Sequence, residues 1–319
     1  MKLYHLRLAQ PQRFNKATRR NHHAERLTLT STPLKKSDFR FSHRLRVRWA
    51  EIDMQKIVFN AHYLMYFDTA ITDYWRALAL PYEEAMTYLG GDLYVKKASL
   101  EYHGSARFDD QLSVCLKSVK VGTSSLVFSG AVFRDDDLLV SVELIYVFAD
   151  PATQRSKPVP PALRLVLAGY EAGETMHTVA LGSWSDLRAD AAPVRTEVFV
   201  REQGIPAAEE WDEDDHIAVH AVVRNGLLQT VATGRLLTHT PGVAKIGRMS
   251  VKRVLRGSHL GRAVLDALVN AAAQRGNKEV RLHAQVSAQG FYESAGFNCR
   301  GEPFDEVGIA HIEMVKSLE

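Results

Sequence analysis

The sequence predicts an α+β protein of two domains: an antiparallel sheet wrapped around a long helix, followed by a mixed α/β domain. Three observations lead to this prediction. At 319 residues the chain is long for a single hydrophobic core. An apolar helix pattern that starts at residue 60 is followed by four strand patterns joined by short turns. At residues 245–273 an apolar strand, a basic loop and an amphipathic helix follow one another.

Composition and charge narrow the class of protein. No stretch approaches the roughly 18 apolar residues of a membrane span. The two cysteines, Cys115 and Cys299, fall in different predicted domains, so they predict neither a disulfide scaffold nor a zinc site, and a cytoplasmic location is expected. Residues 1–37 hold nine Lys and Arg but one acid, Glu25, which leaves a net charge of −5 on the rest. A mildly acidic folded part argues against a nucleic-acid partner.

The basic segment 1–37 is predicted to be a disordered extension. A cleaved transit peptide and an upstream start codon are the alternatives. The first domain is predicted for residues 38–150. It opens with a strand over 43–53, on which Leu45, Val47 and Trp49 share one face. A helix over 60–80 is apolar around most of its circumference, so a larger element must wrap it. Further strands are predicted over 93–103, 112–121, 125–134 and 138–148.

Residues 47–70, VRWAEIDMQKIVFNAHYLMYFDTA, and the later segment ARFDDQLSV resemble the hotdog-fold acyl-CoA thioesterases of the 4-hydroxybenzoyl-CoA type. The resemblance covers roughly 40–150. It implies that Asp53 is the nucleophile or general base and that backbone N–H groups at the helix start hold the thioester carbonyl oxygen. Since hotdog domains pair side by side, a homo-oligomer, either a dimer or a tetramer, is expected.

The position of Asp53 suits this chemistry. Thioester hydrolysis needs an activated water or a carboxylate nucleophile together with an oxyanion site, and Asp53 stands just before a helix start. The alternative is a turn aspartate that satisfies local backbone N–H groups. The aromatic residues of the helix favour an aryl or medium-chain acyl group, although they would also serve as plain core. These residues are Tyr63, Phe67, Tyr74 and Trp75.

Three residues near Asp53 differ from the family pattern or leave a choice. Asn60 stands where one branch of the family has histidine; because asparagine cannot take a proton at neutral pH, it is expected to position water or the carbonyl. Lys56 stands where glycine is common. A positive φ is unfavourable for lysine, so another loop shape is expected there. Asp68 is either a second catalytic carboxylate or a solvated helix residue.

Residues 151–175 are predicted to form a Pro-rich linker and a closing helix, and residues 176–319 the second domain. A helix is expected around 190–202, and six acids at 209–215 are interpreted as a solvated loop. A strand, a helix and a second strand follow one another around residue 265, and this order predicts that the two strands are parallel neighbours in the sheet. The other predicted elements are strands at 178–182, 218–224, 229–238, 280–285 and 310–315 and a short helix at 288–295.

The basic loop before the helix predicts an anion site. Open backbone N–H groups and the helix dipole attract a phosphate, and small residues let it approach the backbone. No GK[ST] sequence follows, so this is not a P-loop, and an ordinary basic helix start is the alternative. The glycines and arginines concerned are Gly257, Gly261, Arg253, Arg256 and Arg262.

The loop spacing R-G-x-x-L-G and the later segment AQGFYESAGF resemble the GNAT superfamily of N-acyltransferases. The motifs RTEVFVREQG, EEWDEDDHIAVH, KIGRMSV, LHAQ and GIAHIEM extend this resemblance over about 178–319. It implies that Tyr292 protonates the departing CoA thiolate, a role that suits a phenol. The CoA-binding residues that it implies are Met249, Ser250, Val251, Arg256, Gly257, Ser258, His259, Leu260, Gly261 and Arg262.

Two points remain open in this domain. His259 replaces a usual glycine, and a left-handed turn there would be strained. The general base for the acceptor is not singled out among the residues able to take a proton. The candidates are Glu202, Glu210, Asp212, Asp215, His220 and His283.

The leading hypothesis is a bifunctional CoA-thioester enzyme. Its first domain hydrolyses an aryl or medium-chain acyl-CoA, and its second transfers an acyl group, for which acetyl is expected, from CoA to an amine. Acyl-CoA and acetyl-CoA act as substrates, and no permanently bound cofactor or metal is expected. One alternative is a thioesterase regulated by a non-catalytic, acyl-CoA-sensing GNAT domain. Another is an assembly scaffold.

Overall fold

The computed structural model describes residues 34–318. Most of the predicted basic extension 1–37 therefore lies outside the described residues. Within this part the chain forms one five-stranded and one seven-stranded sheet with helices packed on them, which confirms the predicted α+β fold class. No helix between residues 34 and 318 is both long and apolar enough to cross a bilayer.

The first sheet is antiparallel and curls around one long helix, as predicted. Its strands are β1 (Phe41–Arg46), β2 (Asp92–Tyr102), β3 (Gln111–Val121), β4 (Ser125–Arg134) and β5 (Asp137–Ala149). Their order in the sheet is β1-β3-β4-β5-β2. The helices of this part are α1 (Asn60–Ala77), α2 (Tyr82–Leu89) and α3 (Pro161–Glu171).

Aromatic packing holds α1 against the sheet. The ring of Tyr74 meets Phe41 and Phe128, each at 5.4 Å between centroids, and Tyr170 of α3 at 5.3 Å. Gly130 on β4 permits this close approach, because a Cβ there would lie 2.8 Å from the Phe67 ring. α1 buries one face, which carries Phe67 and Tyr74, whereas Leu64 and Met65 are 43% and 54% exposed. The expectation that a larger element wraps most of the helix therefore holds for one face only.

The first predicted strand is shorter than expected. β1 ends at Arg46, and Trp49 lies 80% exposed in a 3-10 helix, Trp49–Glu51, instead of sharing a buried face with Leu45 and Val47. The Glu51 carboxylate accepts the Arg48 N–H at 2.8 Å and closes this turn. A local side-chain cap therefore overrides the alternating pattern.

The second sheet is mixed. Its strands are β6 (His177–Gly182), β7 (Val219–Asn225), β8 (Thr230–Thr240), β9 (Val243–Val251), β10 (Glu279–Gln285), β11 (Asn298–Glu306) and β12 (Ile309–Ser317). The order is β11-β12-β10-β9-β8-β7-β6, and β9 and β10 are the predicted parallel neighbours. The sequence analysis missed β11. Its segment carries Gly301 and Pro303, which weaken a strand pattern but are tolerated in an edge strand such as this one.

The helices of this part are α4 (Trp184–Arg195), α5 (Ala207–Glu210), α6 (Asp214–Ile217), α7 (Leu260–Gln274) and α8 (Gln289–Glu293). The predicted start of α4 at residue 190 was wrong. Ser183 and Asp186 form a capping box that begins the helix six residues earlier, a signal readable in the sequence. α4 continues into a π-helix, Thr196–Glu202, a rare form that is frequent at functional sites.

The two sheets are joined by buried contacts as well as by the chain. Leu227, in the turn between β7 and β8, belongs to the core of the first sheet, and Ala79, after α1, belongs to the core of the second. The Asn225 side chain donates a hydrogen bond to the Ala79 carbonyl at 3.1 Å, in a buried setting. Residues 34–318 accordingly form one compact unit.

Candidate active sites

Asp53 lies in a tight hairpin that returns the chain to the start of α1. Ile52 and Val58 form an antiparallel bridge, the Phe59 N–H donates to the Glu51 carbonyl, and the Asp53 N–H donates to the Ile57 carbonyl, the last two both at 2.9 Å. α1 has no side-chain cap at Phe59. The His62 N–H donates to the Phe59 carbonyl at 2.9 Å, and within the described part of the chain the N–H groups of Asn60 and Ala61 are left open to a ligand. The hairpin thus places a carboxylate beside a helix start.

The Asp53 carboxylate is half-buried and only partly engaged. Its Oδ1 accepts the Gln55 N–H at 2.8 Å, which is the turn role considered above. Within residues 34–318, Oδ2 accepts no hydrogen bond. Lys56 takes φ +62°, so the expectation of another loop shape was wrong. The Lys56 N–H donates to the Asp53 carbonyl at 3.0 Å, and this turn closure offsets the left-handed conformation.

A buried carboxylate that the sequence analysis did not single out supports this hairpin. Glu51 is 3% exposed and accepts hydrogen bonds from the Tyr66 hydroxyl at 2.6 Å and from Arg48 Nε at 2.7 Å. Burial alone would raise the pKa of Glu51, but these hydrogen bonds outweigh it and the pKa is lowered. Glu51 therefore stays ionised and anchors the hairpin on α1.

Asn60 is the first residue of α1 and is exposed, and its carbonyl accepts the Tyr102 hydroxyl at 3.3 Å. Asp68 lies two turns further along α1. It lines an apolar cavity of about 280 Å³. Burial and then the nearby Asp68 raise the pKa of Tyr146, which also lines this cavity, to about 12.

The aromatic residues of α1 divide between core and cavity. Trp75 lines the cavity together with Tyr82 and Val95. Tyr63, Phe67 and Tyr74 are buried, and none of the three lines the cavity. The core interpretation therefore applies to three of the four aromatic residues named above.

In the second sheet a cleft opens where β9 and β10 diverge. The parallel pairing runs from Glu279 with Val243 to Leu282 with Ile246 and then stops. The cleft has a volume of about 500 Å³ and extends to Phe199 of the π-helix and to Tyr292 of α8. A splayed pair of parallel strands leaves backbone groups on both edges free to bind an extended ligand.

β9, which carries the predicted CoA-binding residues Met249, Ser250 and Val251, has a bulge beside the cleft. β8 pairs Thr233 with Ser250 and Arg235 with Gly247, so Arg248 and Met249 both face the single residue between Thr233 and Arg235. Arg248 adopts φ +52°. Such a bulge leaves backbone groups unpaired and redirects side chains. Of the predicted residues here, Met249 lines the cleft, while Ser250 and Val251 have rejoined the ladder.

The predicted anion loop ends in an open helix start. Gly257 adopts φ +86° and His259 φ +62°, directly before α7, and α7 has no side-chain cap. The left-handed turn at His259, foreseen as strained, is therefore present. Leu260 is buried and can offer only its backbone N–H. A Cβ on Gly261 would lie 3.3 Å from Val251, so glycine here allows the helix to pack on β9.

Two of the three arginines predicted for this loop are engaged with carboxylates. Arg256 forms a bidentate pair with Glu202 at 2.6 and 2.7 Å, and Arg262 pairs with Asp266 at 2.8 Å. Ser258 is half-buried beside them. Both arginines are more than a third exposed, so they keep access to solvent and to an incoming anion.

Tyr292 is 8% exposed and its ring lines the cleft. Burial raises its pKa to about 12, so it keeps its proton at neutral pH and can donate it. Tyr292 and the bulge residue Met249 thus lie along the same cleft.

Comparisons with known proteins agree with this architecture. Residues 47–167 match the model of the "Thioesterase-like superfamily", and residues 189–318 match "Acetyltransferase (GNAT) domain". The "Uncharacterized N-acetyltransferase YjcF" of Bacillus subtilis is 38% identical over 128 residues, which cover 40% of this chain and 90% of that protein. The "Putative esterase" of Aquifex aeolicus is 31% identical over 96 residues, or 30% of this chain and 74% of that protein.

The chain joins a thioesterase-like domain to a GNAT domain. It belongs to both families, as the resemblances implied. Among solved structures, Escherichia coli ElaA is similar at 28% identity, with a TM-score of 0.41, over 44% of this chain and 99% of that one. The two family matches support a two-domain enzyme of CoA-thioester chemistry.

In the GNAT domain the acidic run at 209–215 is not the solvated loop that was expected. Glu210 and Asp215 are 1% and 2% exposed. The buried Arg195 of α4 donates to Glu210 Oε1 at 2.5 Å and to Asp215 Oδ1 at 2.7 Å. Arg235 of β8 also donates to Asp215 Oδ1 at 2.7 Å. Glu210 and Asp215 fold inward because two arginines on other elements compensate their charge, while Glu209, Glu213 and Asp214 stay exposed as expected.

The pKa values of the two buried carboxyl groups shift in opposite directions. Burial raises the pKa of Glu210 despite its pairing with Arg195. Burial also acts to raise the pKa of Asp215, but hydrogen bonds from Arg195 and Arg235 outweigh it and the pKa is lowered. The sequence analysis missed both arginines. The signal for Arg235 was a charge inside the apolar strand pattern TVATGRLL.

Proposed function

We propose that the protein is a bifunctional CoA-thioester enzyme: the thioesterase-like domain hydrolyses an aryl or medium-chain acyl-CoA, and the GNAT domain transfers an acetyl group to an amine. One observation carries the proposal. Each domain brings a group suited to proton transfer or nucleophilic attack towards an uncapped helix start. Asp53 lies beside α1, and Tyr292 lies on α8, which the start of α7 contacts through Arg262, whose guanidinium donates to the Ser294 carbonyl at 3.1 Å.

In the hydrolase reaction the open N–H groups of α1 hold the thioester carbonyl oxygen as it becomes negative. Asp53 attacks the carbonyl or activates a water, through the carboxylate oxygen that the Gln55 N–H does not occupy. Asn60, at the helix start, positions the carbonyl or the water. Glu51 keeps the hairpin in place through Tyr66.

In the transferase reaction the helix start at Gly257–Arg262 holds the CoA pyrophosphate. Backbone groups of Met249, Ser250 and Val251 bind the pantetheine and the thioester. After an amine attacks the carbonyl carbon, Tyr292 protonates the sulfur of the departing CoA. Acyl-CoA and acetyl-CoA are substrates throughout, and no resident cofactor is needed for these steps.

The two domains are proposed to use different acyl groups. Hydrolysis would otherwise destroy the donor that the GNAT domain needs. The cavity beside Asp68 is lined by Ile71, Trp75, Leu93 and Val95, which suits an apolar acyl chain. The GNAT cleft is lined largely by polar and charged groups, which suits a short donor and a polar acceptor.

The protein is further proposed to work in the cytoplasm as a homo-oligomer, formed through the thioesterase-like domain. β2 is an edge strand of eleven residues, and most of them are exposed. Tyr94, Val95 and Tyr102 on it are large apolar side chains at 37%, 55% and 53% exposure. An exposed apolar edge strand is suited to pairing with another strand. The cavity beside Asp68 reaches this edge.

A second candidate function is an acyl-CoA sensor, in which the GNAT domain binds CoA without catalysis and regulates the hydrolase. It is favoured by one contact: Lys252, a few residues before the segment proposed to hold the CoA pyrophosphate, is paired with Glu84 of the thioesterase-like domain.

The test uses the full chain with acetyl-, hexanoyl-, decanoyl- and benzoyl-CoA, scored for free thiol with and without amines. Bifunctionality predicts amine-independent thiol release that Asp53→Asn removes, and amine-dependent release that Tyr292→Phe lowers. The sensor function predicts hydrolysis that responds to acetyl-CoA and no amide product. Absence of thiol release with every donor would exclude both.

A further inference from the structure

We propose that His283, positioned by Glu306, is the general base that takes the proton from the acceptor amine in the GNAT cleft. The proposal rests on the proposed acetyl transfer and names the group that was left open among six candidates. Three observations support it: β9 and β10 separate at His283, His283 is paired with Glu306, and the other five candidates are already bound by other residues or lie away from the cleft.

His283 is the first residue of β10 beyond the parallel ladder with β9. The last paired residues are Leu282 and Ile246, and β10 alternates from there between core and cleft. Leu282 and Ala284 are buried, although Leu282 also borders the cleft, whereas His283 lines the cleft with its side chain 29% exposed. A side chain at the point where the strands separate lies next to a ligand that enters the gap.

The imidazole has a defined partner. His283 Nδ1 lies 3.0 Å from Glu306 Oε2, on β11. Burial alone would raise the pKa of Glu306, but the hydrogen bond with His283 and the nearby His283, His311 and Lys245 together outweigh it and the pKa is lowered, so Glu306 is an anion. An anionic acceptor requires Nδ1 to carry the proton, which leaves the lone pair on Nε2. Phe304 packs edge-on against the imidazole at 4.9 Å and holds its plane.

The other five candidates are occupied or lie away from the cleft. Glu202 is held by Arg256. Glu210 and Asp215 are buried with Arg195. His220 is 1% exposed, and its Nε2 donates to the Asp215 carbonyl at 2.9 Å.

Asp212 lines the cleft, but it is bound by Arg235 and Arg248. Hydrogen bonding from Arg235 lowers its pKa, which makes it a weak base. His283 is therefore the candidate that combines access to the cleft with a free lone pair.

Charged groups on every neighbouring strand surround the pair. They are Glu306 on β11, His311 and Glu313 on β12, Lys245 on β9 and Arg281 on β10 itself. Glu313 is already paired with Arg300 at 2.7 Å. His311 also lines the cleft, with Nδ1 2.8 Å from the Ile309 carbonyl, but it lies on β12, one strand further from the opening. His311 is thus the nearest rival on the neighbouring strand that an experiment must separate from His283; His239 of β8 and Asp214 of α6 also line the cleft.

The reaction balances with the groups present. The amine nitrogen attacks the thioester carbonyl carbon and forms the C–N bond while His283 Nε2 takes the proton that the nitrogen loses. The C–S bond then breaks, and the sulfur receives a proton from Tyr292. The imidazolium, paired with Glu306, returns its proton through solvent to the tyrosinate. The products are the amide and free CoA.

The test measures acetyl transfer by the full chain from acetyl-CoA to benzylamine, spermidine, glucosamine and lysine, as rate against pH. His283→Gln should lower kcat about 10²–10⁴-fold and leave KM for acetyl-CoA within about twofold. It should also remove the limb in which the rate rises as the base loses its proton. Titration of the amine itself occurs in all variants and does not affect the comparison.

Glu306→Gln tests the positioning residue. Loss of its negative charge destabilises the imidazolium, so the same limb should move to lower pH, which a purely structural role would not cause. Imidazole added to His283→Ala should restore part of the lost rate.

Three outcomes would overturn the inference: an unchanged limb in His283→Gln, loss of that limb in His311→Gln instead, or no rescue by imidazole in a folded His283→Ala. If the unaltered protein acetylates none of the four amines, the proposed acetyl transfer is contradicted, and the assignment of His283 as its general base falls with it. Transfer that survives in His283→Gln at the original rate would overturn the base alone.

Discussion

Lys252 of the GNAT domain donates a hydrogen bond to Glu84 of the thioesterase-like domain, with Nζ 2.5 Å from Oε2. The same Nζ lies 2.8 Å from Glu197 Oε2 on the π-helix. Burial alone would lower the pKa of Lys252, but the two carboxylates outweigh it and the pKa is raised. Lys252 directly follows β9 and stands a few residues before Gly257, where the segment proposed to hold the CoA pyrophosphate begins. The carbonyl of Val254, two residues on, accepts Arg76 Nε at 3.1 Å. The loop is therefore fastened to both domains.

Glu84→Gln should weaken acetyl-CoA binding, because it frees one side of the loop from the thioesterase-like domain. Glu84 is about half exposed, so the expected rise in Kd is no more than about fivefold. Calorimetric titration of the full chain measures it, and the exposed neighbour Glu83→Gln is the control. Equal Kd values for the two variants would show that the contact joins the domains without affecting the ligand.

Asp53→Asn should lower thioester hydrolysis about 10²–10⁴-fold, the range for a lost acid–base group. The amide can still accept the Gln55 N–H, so the hairpin should persist. Free thiol released from each acyl-CoA measures the effect. Asp136→Asn, in the exposed turn between β4 and β5, controls for a lost charge. Hydrolysis within threefold of the unaltered protein would remove Asp53 from the mechanism.

Gly261→Glu should abolish acetyl-CoA binding while leaving hydrolysis intact. Its Cβ would meet Val251 at 3.3 Å, and its carboxylate would place a negative charge at the helix start where the pyrophosphate binds. Asn270→Glu adds the same charge at an exposed position on α7, away from its start, and should bind normally. Unchanged calorimetric binding by Gly261→Glu would locate the pyrophosphate elsewhere.

Asp215→Asn should destabilise the protein by ~3–5 kcal/mol, since it leaves Arg195 and Arg235 without a buried counter-charge. Because the folded pKa of Asp215 lies below its ordinary value of 3.8, its stabilisation is complete above that value and is lost as pH falls through the folded pKa. The difference in urea unfolding should thus be largest near neutral pH and shrink in acid. Asp214→Asn, exposed and adjacent, should stay within about 0.5 kcal/mol. An equal loss in both variants would contradict the network's role.

The two activities should rank acyl groups differently. Asp53→Asn isolates the transferase and Tyr292→Phe the hydrolase within the full chain. kcat/KM for acetyl-, hexanoyl-, decanoyl- and benzoyl-CoA should favour bulky apolar groups in hydrolysis, because of the cavity at Trp75 and Val95, and acetyl in transfer. Matching rank orders would contradict the division of substrates.

Both folds could be predicted from the amino-acid sequence. The periodic patterns of α1 and of most strands, and the motifs around Asp53, Gly261 and Tyr292, are local properties that a reader can recover from neighbouring residues. Residue periodicity gave a wrong prediction at Trp49, where a local side-chain cap ends the strand early. It also gave no prediction for β11, an edge strand that carries proline.

Tertiary structure alone decided which charges are buried and which groups meet. Glu210 and Asp215 belong to a polar run that looks solvated, and only Arg195 and Arg235, on distant elements, make their burial tolerable. His283 reaches the cleft because β9 and β10 separate one residue before it. Lys252 meets Glu84 across 168 residues of chain. Pairings of this kind depend on the relative placement of whole elements, which residue spacing along one element does not encode.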